Sequence, residues 1–275
     1  MSTLAPPVPR TARERLRWAL ADAWTLFLRG LWHWARMPGI VAVGLLFPVL
    51  MVLMFGYLLG GGMDVPGGGD YREFLLPGLF AMTMAFGIEA TMVAVTDDAN
   101  KGITDRFRSM PMARSAVVIG RCADDMVFSV AGLAVMFVCG LAVGWQWHAG
   151  LGNALLAVGL ILWLRFCVLW VGIFFGLVVR TPEGTAAVQT LIWPFLFTSN
   201  VFASPETMPG WLGAIAAWNP LSSTVAAARE LFGNPGWGGD TWIAQHAVLM
   251  AIVWPLLIAA VFLPLAVRRY RELSR

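Results

Sequence analysis

Two ionisable residues stand inside long apolar stretches of this 275-residue sequence, Glu89 and Arg165. A charged side chain is costly in hydrocarbon, so such residues face the protein interior, a water-filled cavity or a partner. Our hypothesis is that one or both line a route through the membrane. A structural ion pair, or an arginine whose head group reaches the membrane surface, is the alternative. The sequence contains no GxxxxGK[ST], GxSxG or HExxH motif, so we predict no catalytic, metal or cofactor site in this chain.

A charged segment, TDDANKGITDRFRSMPMAR, separates two apolar blocks. It predicts a short amphipathic helix over 96–114, with Thr96 as its cap and Asp97 and Asp98 in its first turn. Asp97 and Lys101 are spaced for an ion pair. The apolar residues share one face: Ala99, Ile103, Phe107 and Met110. The helix is either a solvated loop that sets membrane topology or a docking surface for a soluble partner, and this pattern alone leaves both open.

The composition is that of a membrane protein, because 59 % of the residues are hydrophobic and 13 % are charged, whereas a soluble domain has about 25 % charged residues. The net charge of +3 is spread beside the apolar blocks and does not indicate a nucleic-acid partner. We predict an all-α integral membrane protein. Since a transmembrane helix needs about 20 apolar residues, the six predicted spans lie near 40–60, 73–95, 116–144, 151–179, 184–203 and 244–267.

The residues before the first span predict a cytoplasmic tail and an amphipathic interface helix over 1–38, followed by one membrane domain over 39–275. Charged residues recur every seven positions and stay on one face: Arg15, Asp22, Arg29 and Arg36. The opposite face carries Leu20, Trp24, Phe27, Leu31 and Trp34. This pattern is typical of a helix that lies in the membrane interface, and a plain cytoplasmic extension is the alternative.

The distribution of basic residues predicts the orientation. Sixteen of the 19 Lys and Arg lie before the first span, between the second and third, after the fourth or after the sixth. Arg72 and Arg229 lie on the other side. The positive-inside rule therefore places both termini and the segment 96–114 in the cytoplasm.

The segment 204–240 is too polar and too rich in proline to be a span. Two stretches in it, Trp211–Trp218 and Leu221–Phe232, are apolar enough to enter the outer leaflet. We predict a re-entrant helical hairpin that packs against the spans, because irregular backbone at membrane depth must be covered. A loop lying flat on the membrane is the alternative. Trp145 and Trp147 are predicted interfacial anchors.

Two motifs resemble a known family. NKGITDRFRSMPMARS, from residue 100, is similar to the loop after the second span in permeases of the type-two ABC exporter family, and its FRSMP form is most similar to the daunorubicin-resistance branch. LFTSNVFASPETMPGWLGAIAAWNPLS, at 196–222, is similar to the outer segment of that family, in which Phe and Pro precede Met/Leu-Pro-x-Trp-Leu and then Asn-Pro. With six spans and an interface helix, the resemblance covers essentially the whole chain. The usual Glu-x-Glu is here Asp97-Asp98 followed by Asn100-Lys101, which leaves open which acidic residue serves in docking.

The resemblance implies a transport subunit and not an enzyme. Such a permease moves a hydrophobic or amphipathic compound (drug, secondary metabolite or lipid) out of a bacterial cell across the inner membrane. ATP and Mg would bind a separate ATPase, present in two copies beside two permeases, which are identical or sister chains. The implied docking residues are Asp97, Asp98, Asp105, Arg106, Phe107 and Arg108, with Arg13, Arg17 and Arg29 in the first helix. The implied outer gate is formed by Met208, Pro209, Trp211, Asn219 and Pro220.

Two other functions remain open. A permease of the same architecture could export a polysaccharide or a lipid-linked glycan. A secondary transporter or channel would need intramembrane carboxylates and commonly has internal repeats. Glu89 is the only clear intramembrane acid that we identify from the sequence, and we detect no two-fold repeat, so this third function is the least favoured.

Overall fold

The computed structural model describes residues 11–36, 38–58, 70–102, 114–236 and 241–272, and this part of the chain is helical without any strand. The all-α prediction is therefore confirmed for the described residues. The helices are α1 (Ala12–Arg36), α2 (Pro38–Leu58), α3 (Tyr71–Asn100), α4 (Arg114–Val143), α5 (Gly150–Val178), α6 (Pro182–Phe197), α7 (Gly210–Trp218), α8 (Pro220–Phe232), α9 (Trp242–Gln245) and α10 (Ala247–Glu272), with a 3₁₀ turn at Pro205–Thr207. We call the end of the bundle where α3, α5 and α10 finish the inner end, and the opposite one the outer end.

Four helices in the described part of the chain are long and apolar enough to cross a membrane: Tyr71–Asn100, Val118–Val143, Gly150–Val178 and Ala247–Tyr270. They correspond to the predicted second, third, fourth and sixth spans. The first predicted span falls on α2, which forms a bent pair with α1. The chain turns by 79° between 17–36 and 41–57, and the pair makes a fifth span if it is counted as one.

The predicted fifth span, 184–203, is a shorter helix than the sequence indicated. The 16 residues of α6 extend about 24 Å at 1.5 Å per residue, while the hydrocarbon core is about 30 Å thick. After Phe197 the chain turns, and the Asn200 backbone N–H donates to Ser222 Oγ of α8 at 3.0 Å. The last apolar residues of this run are therefore a connection to the outer segment and not part of a span.

The two short helices expected in 204–240 are present as α7 and α8. Helix α8 is packed against the bundle, since Val225, Ala228 and Phe232 are fully buried and belong to the same core as α3 and α5. This packing agrees with the requirement that irregular backbone near such a segment be covered.

Helices α3 and α5 form the centre of the fold and approach closely through two glycines. A Cβ atom built on Gly172 would lie 2.6 Å from the Ile88 carbonyl oxygen, and one on Gly176 would lie 2.8 Å from that of Met92. Small residues allow this approach, and the resulting van der Waals contact stabilises helix pairs in lipid, where no hydrophobic effect drives association. The fully buried α3 side chains include Phe74, Leu75, Leu76, Phe80 and Met92.

Trp145 lies in the core, so its prediction as an interfacial anchor is wrong. It is 0 % exposed, and its indole N–H donates to Asn234 Oδ1 at 2.9 Å. Gly144 adopts φ +104°, a conformation that favours glycine, and turns the chain back over the end of α4. The indole then contacts the rings of Phe80 and Phe232. Tryptophan enters a core when its N–H finds an acceptor, and here the distant Asn234 provides one.

Helix α1 packs against the inner half of α4. Ala19 and Ala23 are buried, and Gly120 of α4 lies so close that a Cβ there would be 2.8 Å from Leu26 Cβ. Trp24 and Trp32 point away from this contact and are 60 % and 64 % exposed. The helix therefore has one face on the bundle and a second, exposed face that carries large apolar groups.

The contact between α3 and α5 yields a first prediction. Gly172→Val forces the Ile88 carbonyl away and should destabilise the fold by about 1–3 kcal/mol, the usual cost of overpacking. Gly159→Val on the same helix has no heavy atom within 4 Å of its Cβ and is the matched control. Apparent melting temperatures in lipid nanodiscs compare the two variants. Equal values would contradict the close approach.

Candidate functional site

Arg165 is buried near the middle of α5, where 3 % of its surface is exposed. Its Nε donates to Ser129 Oγ of α4 at 2.8 Å, and its Nη2 donates to Thr91 Oγ1 of α3 at 2.9 Å. Gly87 of α3 leaves the space for the guanidinium group, since a Cβ there would meet Arg165 Cζ at 2.5 Å. The head group is therefore held inside the bundle, where it joins three helices.

Asp125 of α4 supplies the carboxylate for this arginine. Its Oδ2 lies 3.7 Å from Arg165 Nη2 and accepts from Thr91 Oγ1 at 2.7 Å. The Thr91 hydroxyl thus accepts from the cation and donates to the anion. A buried charge is tolerated when it is paired and hydrogen-bonded in this way.

The ionic contacts continue to the inner end of the bundle. Arg121 Nε lies 3.4 Å from Asp125 Oδ1, and Arg121 Nη1 donates to Asp98 Oδ2 at 3.2 Å. We call Asp98, Arg121, Asp125 and Arg165, with Thr91, the ion network. It connects the last turn of α3 to the middle of α5 through side chains of α4.

The last turn of α3 differs from the sequence prediction. Helix α3 continues to Asn100, and Thr96 Oγ1 donates to the Val179 carbonyl at 3.1 Å. The prediction that Thr96 caps a new helix is therefore wrong, because this hydroxyl binds the end of α5. The Asp97–Lys101 pair forms at 2.9 Å, and its hydrogen bond raises the pKa of the Lys101 ammonium above 10.5. The residues 103–113 lie outside the described part of the chain.

A cavity of about 550 Å³ borders the ion network on the side of α1 and α2. Its wall includes four basic residues, Arg29, Lys101, Arg121 and Arg165, and four acidic residues, Asp97, Asp98, Asp124 and Asp125. The charges of these residues balance, so the wall favours neither a simple cation nor a simple anion. Such a cavity can hold water or a polar segment beside the inner ends of the helices.

Glu89 lies on a different side of α3 from Arg165. Gly87 and Thr91 face Arg165, and a residue two positions away from each points about 200° around the helix. The Glu89 carboxylate instead lies near the side chain of Trp193 on α6, and its Oε1 has no hydrogen-bond partner among the described residues. The two residues predicted to line the route are thus not brought together, and they do not form an ion pair with each other.

Trp193 belongs to a row of aromatic rings that joins α2, α3 and α6. The successive centroid distances are 6.0, 5.2, 6.0, 5.6 and 5.0 Å. We call this the aromatic row; its members are Phe47, Phe86, Trp193, Phe197, Phe202 and Phe55. These distances are typical of favourable ring contacts, and the Glu89 carboxylate stands beside the row.

The predicted docking residues are only partly described. Asp105, Arg106, Phe107 and Arg108 lie outside the described residues. Asp97 and Asp98 lie together at the inner end of α3, where Asp98 belongs to the ion network. The three arginines of α1 that were predicted to dock are exposed: Arg13, Arg17 and Arg29.

The predicted outer-gate residues lie at the ends of α7 and α8. Asn219 is buried and caps α8, since its Oδ1 accepts from the Leu221 N–H at 2.9 Å and its Nδ2 donates to the Phe195 carbonyl at 2.8 Å. Pro220 occupies the first position of α8, where a missing N–H has no cost. Met208 and Pro209 connect the 3₁₀ turn to α7, on which Trp211 is exposed.

Arg229 holds this outer segment to the bundle. It is 1 % exposed, and its Nε, Nη1 and Nη2 donate to the carbonyl groups of Phe74, Asn200 and Val201 at 2.8, 3.1 and 2.9 Å. The guanidinium group also lies 3.7 Å from the centre of the Phe74 ring, at cation–π distance. The basic-residue distribution predicted only that Arg229 lies on the outer side.

Asp124 and Asp125 were not among the predicted site residues, and Glu89 is not the only acid in a candidate span. Both aspartates lie in Val118–Val143, a candidate span. Adjacent carboxylates inside a predicted span are a visible signal, and the spacing of Arg121 and Asp125 predicts a helical ion pair. The signal for Arg229 was weaker, since its three acceptors are backbone carbonyls that sequence does not reveal.

Residues 21–232 match the model of the ABC-2 type transporter family. This chain belongs to that family. It is a multi-pass membrane protein, and the family implies an ABC transporter with an ATPase partner. The resemblance drawn from the two motifs is therefore confirmed.

Three relatives illustrate the family. The daunorubicin resistance ABC transporter permease protein DrrB1 of Streptomyces coeruleorubidus is 33 % identical over 82 % of this chain and 78 % of its own length. The doxorubicin resistance ABC transporter permease protein DrrB of Mycobacterium tuberculosis is 25 % identical over 72 % of this chain and 73 % of its own. The putative transport permease ycf38 of Porphyra purpurea is 24 % identical over 74 % of this chain and 70 % of its own length.

The ion network yields a second prediction. Asp125→Asn leaves the buried Arg165 without its carboxylate and should destabilise the protein by about 3 kcal/mol. Asp97→Asn, whose partner Lys101 is exposed, is the control and should change the stability little. Combining Asp125→Asn with Arg165→Gln should cost less than the sum of the single changes. Apparent melting temperatures of the set measure this coupling, and strictly additive shifts would show that the two residues act independently.

The hydrogen bonds of Arg229 yield a third prediction. Arg229→Met removes three hydrogen bonds to buried carbonyl groups and should destabilise the fold by about 3 kcal/mol. Arg229→Lys should recover only part of this loss, because an ammonium group cannot match the planar fork of donors. Arg180→Met, at an exposed position, is the control in the same melting experiment. If Arg229→Met and Arg180→Met melt alike, the outer segment is held by apolar packing alone.

Proposed function

We propose that this chain is the transmembrane permease subunit of an ATP-driven exporter of a hydrophobic or amphipathic compound. Hydrolysis takes place on a separate ATPase, which binds ATP and Mg and is present in two copies beside two permease chains. The complex lies in the inner membrane of a bacterium, with both termini of the permease in the cytoplasm. The observation that carries this proposal is the ion network, because it gives a docked partner at the inner end of α3 a continuous path into the centre of the bundle.

Force from an ATPase needs a stiff element to act on. The segment after Asn100 provides the docking surface, and Asp98 and Arg121 join the neighbouring ends of α3 and α4. From there Asp125 and Thr91 reach Arg165 on α5. Closure of the partner then moves the inner ends of α3 and α4 and the middle of α5 as one unit, the kind of rigid-body transition that packed helices support.

The aromatic row supports the choice of substrate class. It presents partly exposed rings between α2 and α6, with the Glu89 carboxylate beside Trp193. Flat apolar compounds bind to such rings, and a carboxylate in an apolar wall selects a compound with a polar or positive group. The printed names of two relatives refer to daunorubicin and doxorubicin resistance, which is consistent with a compound of this kind. Glu89 thus keeps its proposed place on the route, and Arg165 contributes through the ion network.

The decisive experiment uses the chain and its ATPase together. We expect that Phe107→Ala either prevents co-purification of the ATPase or lowers ATP-driven transport at least tenfold while hydrolysis continues, because a large apolar anchor carries much of the binding energy of an interface. The complex is reconstituted in nanodiscs for hydrolysis and in vesicles for transport. Trp242→Ala, an exposed aromatic residue at the outer end, is the control and should leave both activities unchanged.

Two results would overturn the proposal. If no ATPase co-purifies and the chain alone moves solute down an ion gradient, it is a secondary transporter, for which Asp124 and Asp125 would be additional candidate ion-binding groups. If an ATPase assembles with the chain but the vesicles transport only glycan substrates, the chain is the permease of a glycan exporter.

A further inference from the structure

The cavity of about 550 Å³ beside the ion network, which we call the inner cavity, is open to the side of the bundle. Its described lining comes from α1, α2, α3, α4 and α5. Gly44 of α2 and Ala90 of α3 belong to this lining and are exposed, so the opening lies between these two helices. The volume is within the range of small-molecule sites. A molecule in the surrounding lipid can therefore enter the inner cavity.

The lining changes from charged to apolar along the axis of α3. Asp97 and Lys101 border the inner cavity at the inner end of this helix, whereas Ala94 and Ala90 border it about one and two turns deeper than Asp97. Helix α4 shows the same order, since its charged lining residues precede Phe128. A charged inner end and an apolar deeper part match the headgroup and the first chain atoms of an amphiphile.

The length of α3 indicates the depth of the charged end. The 30 residues of this helix extend about 45 Å at 1.5 Å per residue. The hydrocarbon core of a bilayer is about 30 Å thick, and the bilayer with its headgroup regions is about 40–45 Å thick. The last turn of α3 therefore lies among the headgroups of the inner leaflet, and Ala90 and Ala94 lie beside the acyl chains.

Two ion pairs at this depth are accessible from the inner cavity. Asp97 and Lys101 lie 2.9 Å apart, and their side chains are 59 % and 64 % exposed. Asp98 and Arg121 lie 3.2 Å apart, with side chains 32 % and 24 % exposed. The two carboxylates come from consecutive residues, whose Cα atoms are about 3.8 Å apart, so the pairs are neighbours. One small group can contact both pairs.

The arrangement of these charges defines that group. Each pair is neutral, so a single added charge would be attracted by one member and repelled by the other. A zwitterion avoids this conflict, because its cation can lie beside Asp97 and Asp98 while its anion lies beside Lys101 and Arg121. A primary ammonium group has three N–H donors for the carboxylates, whereas a quaternary one has none. A phosphate accepts charge-assisted hydrogen bonds from lysine and arginine.

We propose that the inner cavity is a binding site for a membrane phospholipid with an ethanolamine headgroup. The ammonium group binds Asp97 and Asp98, the phosphate binds Lys101 and Arg121, and the chains leave through the opening beside Ala90. This lipid is a bound component of the permease and not its cargo. The inference therefore goes beyond the proposed function and does not depend on it.

The test uses the full chain without an ATPase. It is placed in nanodiscs that contain equal parts of dioleoyl phosphatidylethanolamine, phosphatidylcholine and phosphatidylglycerol, and native mass spectrometry identifies the lipid that stays bound. We expect phosphatidylethanolamine in about tenfold excess over each of the other two, the effect of its charge-assisted hydrogen bonds to the carboxylates. Asp97→Asn/Lys101→Gln removes one pair without changing the net charge and should lower this excess severalfold.

Three further variants separate the site from indirect effects. Ala90→Phe places a ring in the opening and should reduce the amount of bound lipid severalfold, whereas Val93→Phe adds the same ring at an exposed position outside the described lining. Arg269→Gln/Glu272→Gln removes an exposed ion pair of 3.3 Å at the inner end of α10, also outside this lining. Both controls should retain phosphatidylethanolamine as the wild type does. Melting temperatures establish that all variants are folded.

A soluble competitor distinguishes a lipid from a free zwitterion. Glycerophosphoethanolamine, which carries the same headgroup without chains, should not displace the lipid even in large molar excess, because it cannot use the apolar part of the cavity. Displacement would assign the site to a soluble zwitterion and overturn the lipid proposal. The proposal also fails if the three lipids stay bound equally, if phosphatidylglycerol predominates, or if Asp97→Asn/Lys101→Gln and Arg269→Gln/Glu272→Gln retain phosphatidylethanolamine alike.

Discussion

A guanidinium group inside a membrane protein must be surrounded by acceptors, and two such groups hold α3 in place. Arg229 binds the Phe74 carbonyl near the outer end of the helix, and Arg165 binds Thr91 toward the inner end. The two contact points are 17 residues apart, which corresponds to about 26 Å at 1.5 Å per residue. Either arginine would be too costly to bury alone. Their partners come from α3, α4 and the connection after α6. The cost of burying the two charges is therefore offset only when these segments pack together, which favours this arrangement of the helices over others.

The long helices could be predicted from the sequence because the free energy of transferring a segment to lipid depends on the residue types summed along that segment. It predicted α3, α5 and α10, and it predicted two short helices in 204–240. It failed where one distant contact decides the outcome. Trp145 became a core residue because Asn234, 89 positions away, accepts its indole proton. The predicted fifth span became shorter because residues after Phe197 contact α8. Hydropathy does not report contacts between segments that are distant in the sequence.

The candidate site was predicted in part and for the same physical reason. Arg165 and Glu89 were recognisable, since ionisable residues are rare in apolar runs. Their partners were not, and helix geometry shows why Glu89 and Arg165 stay apart on opposite sides of α3. Asp125 could have been found from the adjacent aspartates in a predicted span. Thr91 could not, because a threonine in an apolar helix is ordinary until an arginine from another helix reaches its hydroxyl group.

The brevity of α6 has a consequence for the lipid. A helix that is about 6 Å shorter than the hydrocarbon core obliges the surrounding bilayer to thin or to admit polar groups, at a cost of a fraction of a kcal/mol per Å. The same helix carries Trp193 and Phe197, which are half exposed. Where α6 crosses the membrane as predicted, the bilayer would be thinned beside the rings of the aromatic row, and a molecule dissolved in the leaflet would there have a shorter distance between the two membrane surfaces.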